Sequence, residues 1–222
     1  MADEQRQREV VESDPFLMTT KLHLLACALP RFDHMFQTSD IPRNGIYIMF
    51  ETGELVVHPE FEGDRIVRIG THRVDDRLPR RLRQHYRGNK RASILRRHVS
   101  SAMSMPDELL PRDAEALLSG AIADRFSFAC IAVPEKSERM HLERGLTAQL
   151  ARHPIGPPSH DWSGLRAASP GVRSSGLWNV MNLRGVGLTL AELDRLTELI
   201  QLAEGQATGS ASFGSPMTDG YT

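Results

Sequence analysis

Apolar positions along the chain fall into two periods, and the switches between them mark out the elements. "FLMTTKLHLLACAL" (16–29) has the length and density of a helix that Pro30 ends. After a loop through Pro42, "GIYIMF" (45–50) reads as a strand, "TGE" (52–54) as a hairpin turn and "LVV" (55–57) as the return, with "RIVRIG" (65–70) as the next strand. In "RLPRRLRQHY", Leu78, Leu82 and Tyr86 recur every four residues as a narrow apolar stripe on a helix. A second short helix is expected over 92–103, with Ile94, Leu95 and Val99 inward, and a third over 111–126.

"FSFACIAV" (126–133) has the composition of a buried strand, and "SERMHLERGLTAQLAR" (137–152) that of a helix with Ser137 as its cap. A Pro/Gly/Ser-rich loop (153–171) and a short ordered stretch (174–183) follow. "TLAELDRLTELIQLAE" (189–204) is an amphipathic helix capped by Thr189. Three strands interleaved with helices make a small α/β domain. The expected divisions are an N-terminal extension with one helix (1–43), a central domain (44–184), a C-terminal helix (185–204) and a disordered Gly/Ser-rich tail (205–222), with the lead 1–14 frayed or partly helical.

Charge changes this picture in one place. The net formal charge is only −1, yet from Arg65 to His98 there are twelve Lys and Arg against two acids, Asp75 and Asp76. A strongly basic segment in a balanced chain is the footprint of a polyanion partner, although charge runs are commonly just a solvated face. No run approaches the ~18 apolar residues of a membrane helix, and the polar start "MADEQRQREVVES" is unlike a signal peptide. Cys27 and Cys130 sit in apolar stretches without CxxC spacing, as expected of buried free thiols in a cytoplasmic protein.

Within the basic segment, Arg77, Arg81 and His85 lie in one row beside the Leu78/Leu82/Tyr86 stripe. An arginine held at such a border can grip a phosphate bidentately, and an imidazole one turn on can donate to a second oxygen. On the later helix, Leu142, Leu146 and Leu150 place Glu143 just off the core stripe, where a carboxylate can reach a cleft. One carboxylate plus water suits Mg²⁺ when a substrate phosphate completes the shell, while a lone glutamate is more often a surface charge. Gly145 costs the helix about 1 kcal/mol relative to Ala, which implies a close neighbour. Among the nine histidines there is no HxxxH or HExxH pairing, and the adjacent residues of "SHDW" (159–162) cannot converge as a hydrolase triad.

"GIY" at Gly45–Tyr47, "RIG" at Arg68–Gly70, Arg81 followed by His85, and Glu143 in an "LExxL" helix together resemble the GIY-YIG nuclease family. "GNKRASILRRHV" and "SGLWN" are similar to its bacterial stand-alone members, some of them type II restriction endonucleases. The resemblance implies a three-stranded antiparallel sheet flanked by helices, one divalent metal (Mg²⁺ or Mn²⁺) and hydrolysis of a DNA phosphodiester. It implies that Tyr47 meets the attacking water, Arg81 holds the scissile phosphate and His85 helps activate the nucleophile or hold the phosphate. Glu143 is implied as the metal ligand and Asn179 as a bracing asparagine, with Asn182 the alternative. DNA contacts are expected from Arg68, His72, Arg77, Arg83, Arg87, Lys90, Arg91, Arg96 and Arg97, and a palindromic site would call for a homodimer.

One departure stands out. The second motif of the family usually opens with tyrosine, and here Arg68 stands in its place. A guanidinium stays protonated and cannot serve as a base. The alternatives to an active nuclease are therefore a nucleic-acid-binding relative that has lost turnover, or an interaction protein whose arginines are merely solvated.

Overall fold

The computed structural model describes residues 14–105 and 109–210, with side chains to 202. Along it run α1 (Pro15–Ala28), β1 (Gly45–His58), β2 (Phe61–Gly70), α2 (Leu78–Arg87), α3 (Ile94–Ala102), α4 (Pro111–Arg125), β3 (Phe126–Ala132), α5 (Lys136–Arg152), α6 (Pro170–Ser175) and α7 (Leu190–Ser210). The strands form one antiparallel sheet in the order β2-β1-β3. Of the lead 1–14, expected to be frayed or partly helical, residues 1–13 lie outside the described residues, as does the tail beyond Ser210, while Asp14 caps α1; the C-terminal helix continues past 204 to Ser210.

β1 is the central strand, which explains its unbroken apolar run: both of its faces are covered. Ile46, Ile48 and Phe50 turn to one side, where they pack with Met18 and Leu22 of α1, Leu142 and Leu146 of α5, and Leu196 and Ile200 of α7. Tyr47 and Met49 turn to the other, with Leu78 and Leu82 of α2, Val99 of α3, Ile122 of α4, Trp162 and Trp178. The N-terminal helix thus shares the core of the sheet rather than standing apart from it.

The expected hairpin turn at 52–54 does not form. β1 continues to His58 through register shifts around Phe50 and Leu55, with Gly53 at φ +86°, and the chain reverses instead at residues 59 and 60. The reason lies in two buried carboxylates. Glu51 accepts from the indole N–H groups of Trp162 (2.9 Å) and Trp178 (2.8 Å) and pairs with Arg125. Glu54 accepts both Nε (3.0 Å) and Nη2 (2.6 Å) of the buried Arg65, and also binds Ser159. Reversal at 52–54 would pull both acids out of these pairs.

Beyond α6, residues 176–179 lie along the free edge of β2. Trp178 N–H donates to the Val67 carbonyl (2.8 Å), Arg65 reaches the Gly176 carbonyl (2.5 Å) and Arg68 the Trp178 carbonyl (2.5 Å). Two further details differ from expectation. Glu135 rather than Ser137 caps α5, because its carboxylate takes the Ser137 N–H (3.1 Å). Cys27 and Cys130 are free but only partly buried, one facing the Asp64 carbonyl and the other on an edge strand.

Candidate active site

Tyr47 stands directly opposite Gly70 in the β1–β2 register. A Cβ at position 70 would lie 2.2 Å from the phenolic oxygen, so only glycine lets the ring lie across β2. That oxygen is 2.8 Å from Nε2 of His85 and 3.3 Å from Nε of Arg68. Nδ1 of His85 meets the Ser93 hydroxyl at 2.7 Å, and the same hydroxyl caps α3 by accepting the Arg96 N–H. His85 is wholly buried behind Tyr47. Burial, reinforced by Arg68, Arg81 and Arg96, holds its pKa well below the usual value, so the ring is neutral.

Arg68 projects from β2 and is buried, and its partners are neutral oxygens, those of Trp178 and Tyr47. Arg81, half-buried on α2, likewise binds the neutral oxygens of Ala92 (3.2 Å) and Gln84 (3.5 Å). Across from them, α5 presents Glu143, fixed by its leucine neighbours just off the core stripe. Its carboxylate accepts Nδ2 of Asn182 at 3.3 Å. Burial raises the Glu143 pKa, against the pull of Arg68, Arg144, the Asn182 hydrogen bond and Arg73. Asn182 holds φ +64°, a left-handed backbone that Asn tolerates better than most residues.

One cavity of about 400 Å³ gathers Tyr47, Arg68, Arg81, Glu143, Asn179 and Asn182, and Arg73 and Arg144 complete its wall. Four guanidiniums therefore face one carboxylate, an environment made for an anion. Among the described residues, no group of three or more His, Cys, Asp and Glu gathers into a metal cage. A single partly buried carboxylate beside an amide nevertheless fits a hard divalent cation that keeps most of its water and takes further oxygens from a phosphate.

The remaining candidates separate cleanly. Arg77, Arg83, Arg87, Lys90, Arg91 and Arg97 are exposed. Arg96 is not on the surface: it is fully buried, donates to the His85 and Tyr86 carbonyls (3.1 Å each) and pairs with Glu115 at 2.7 Å. His72 is also withdrawn, with Nδ1 2.7 Å from the Val74 carbonyl and Nε2 3.4 Å from the Gly45 N–H. Asn179 spends its amide on Ile69, accepting the N–H (3.1 Å) and donating to the carbonyl (2.8 Å); the asparagine that touches Glu143 is Asn182. Sequence reasoning missed Ser93, although a serine directly before an amphipathic helix is a readable cap. It also missed Arg73 and Arg144, each a few residues at most beyond a motif position.

A model of the GIY-YIG domain matches residues 26–206, most of the chain and all of the elements that build this cavity. The chain belongs to the GIY-YIG family, and its fold is that of a nuclease of this type. No curated protein and no solved structure matches it.

Proposed function

We propose that this protein is a divalent-metal-dependent endonuclease that hydrolyses DNA phosphodiester bonds. The observation carrying this reading is the single cavity that holds a phenol, four guanidiniums and one carboxylate from four separate stretches of chain. Arg81, whose partners among the described residues are neutral, offers its charge to the phosphate and to the negative charge that grows on its oxygens during attack. Glu143, braced by Asn182, would hold the cation, which when bound polarises a phosphoryl oxygen and favours departure of the leaving alkoxide.

Tyr47 orients and deprotonates the attacking water. Because the Ser93 hydroxyl accepts the Arg96 N–H, its own proton is free for Nδ1 of His85, and we assign the imidazole proton to Nε2, facing Tyr47. With the phenol's own proton given up to solvent in the cavity, the Tyr47 oxygen would receive two donors, His85 Nε2–H and Arg68 Nε–H, and could take the proton from the attacking water. Arg68 in this scheme is no base; it supplies a fixed positive charge in the place where relatives carry a second phenol. His85, kept neutral, positions the phenol rather than gripping phosphate.

Plasmid DNA incubated with Mg²⁺ or Mn²⁺ tests the proposal: nicking or linearisation is expected, and Glu143→Gln should reduce it at least about 100-fold. Since burial raises the Glu143 pKa, its ionisation weakens the fold as pH rises, so the neutral E143Q should unfold at pH 8 no lower than the unaltered protein. For the same reason, protons compete with the cation, and half-saturating Mg²⁺ should rise as pH falls. Sequencing of cut ends from genomic DNA decides whether the activity is restriction: discrete ends mean a recognition site, scattered ends do not. DNA binding without cleavage would assign the protein to the non-cleaving class that Arg68 raises.

A further inference from the structure

Two more basic hollows adjoin the Glu143 cavity. The first, of about 570 Å³, shares Arg73 and Arg81 with it and adds Arg77 and Arg80. The second, of about 390 Å³, shares Arg77 and Arg80 with the first and adds Arg43, Arg83 and Thr38. Adjacent walls make these three hollows one furrow that leads from the candidate active site, over the start of α2, to the loop before β1.

The furrow is a built feature. Asn44 and Asp76 grip each other reciprocally, the amide donating to the carboxylate (2.9 Å) and the amide oxygen accepting the Asp76 N–H (2.8 Å). This holds Asp76 at φ +59°, a left-handed turn that aims Arg77 at the helix start. The Leu78 N–H is bonded to the Arg43 carbonyl (3.1 Å), locking the loop before β1 to α2. Arg83 is steadied by the Thr38 hydroxyl at 2.6 Å.

The charges run against the helix. Arg77 is the N-cap of α2, Arg80 and Arg81 lie in its first turns, and no acidic residue is present there. A helix N-terminus carries partial positive charge and prefers acids, and the one carboxylate lining this part of the furrow, that of Asp76, is already bound to Asn44, so three guanidiniums there outnumber it and favour a further anion. Arg43 and Arg80 are both exposed, and they line these hollows.

We infer that this furrow is the track for the sugar–phosphate backbone on one side of the scissile bond, with Arg43 and Arg80 neutralising phosphates that flank the one at Arg81. This rests on the proposed nuclease reading and narrows it to one path, over the start of α2, in place of a general grip by every exposed arginine out to Arg97.

Binding of a duplex oligonucleotide to the E143Q protein, measured across a salt series, tests the track. R43A/R80A should weaken affinity and make the dependence of log K on log salt shallower by about 1 for each phosphate no longer neutralised. R43K/R80K should keep the slope, because the charge remains. R87A/R91A/R97A should leave it nearly unchanged. An unaltered slope in R43A/R80A, or an equal loss of affinity in the triple variant, overturns the track. Should the unaltered protein bind with the expected slope changes yet cleave nothing, the track stands and hydrolysis falls; should it cleave while R43A/R80A binds normally, the reverse holds.

Discussion

Two asparagines three residues apart perform different work. Asn179 has both amide groups engaged with the backbone of Ile69, so it fastens a segment to β2 although it also borders the cavity. Asn182 adopts a strained backbone and directs its amide to the glutamate. Backbone strain persists where surrounding structure over-determines it, and here the gain is a fixed carboxylate. Asn182→Gly, which removes the amide but accepts the left-handed backbone, should therefore raise the half-saturating Mg²⁺ concentration about 10–100-fold, with thermal stability little altered. Asn179→Ala should instead leave a buried N–H and carbonyl unpaired, costing about 1–3 kcal/mol for each, read as a lowered urea midpoint. Metal titrations of cleavage alongside unfolding curves separate the two; the opposite pattern would make Asn179 the bracing residue.

At the scale of elements, the long β1–β2 hairpin is held by acids rather than by its turn. Arg65 is buried, stacked 4.9 Å over the Trp162 ring, and its counter-ion is Glu54. Burial pulls the Arg65 pKa down, and Glu54 opposes that shift. Glu54→Gln leaves a buried guanidinium without its counter-charge and should cost about 3–5 kcal/mol, measured by urea unfolding at an unchanged m-value. What is legible in these elements depends on how local the cause is. The apolar run of "GIYIMF" and the four-residue recurrence of Leu78, Leu82 and Tyr86 place a strand and a helix because neighbours along the chain set the pattern. "TGE" reads as a turn because the partners that oppose one, Trp162 and Trp178, lie 111 and 127 residues from Glu51. Arg96 reads as surface charge for a similar reason: its carbonyl partners exist only once α2 and α3 pack together. Motif order suffices to single out Tyr47, Arg81 and Glu143, which line one cavity. The choice between Asn179 and Asn182 stays open in the sequence because a left-handed backbone leaves no mark in composition.

Across the whole molecule, histidines make stability depend on pH. Burial lowers the pKa of His85 far below its normal value, brings that of His23 to about 4, and lowers those of His72 and His98. An unfolded chain takes up protons on these rings from about pH 6.5 downward, while the folded one does not. Stability should be full above that value and fall between about pH 6.5 and 4, against the opposing contribution of Glu143. Thermal unfolding between pH 4 and 8 in one buffer series checks this, and a flat profile would contradict it. Among the described residues no helix is long and apolar enough to cross a membrane. The near-zero net charge conceals a polar division of labour, with some arginines of the basic segment inside, fastening the fold, and others outside facing solvent.

The stretch from Gly176 to Asn179 laid along β2 has a consequence for assembly. With that flank occupied by the protein's own backbone, a second copy cannot extend the sheet there by strand exchange or zipper-like stacking. Any pairing of two copies would have to be made through other surfaces.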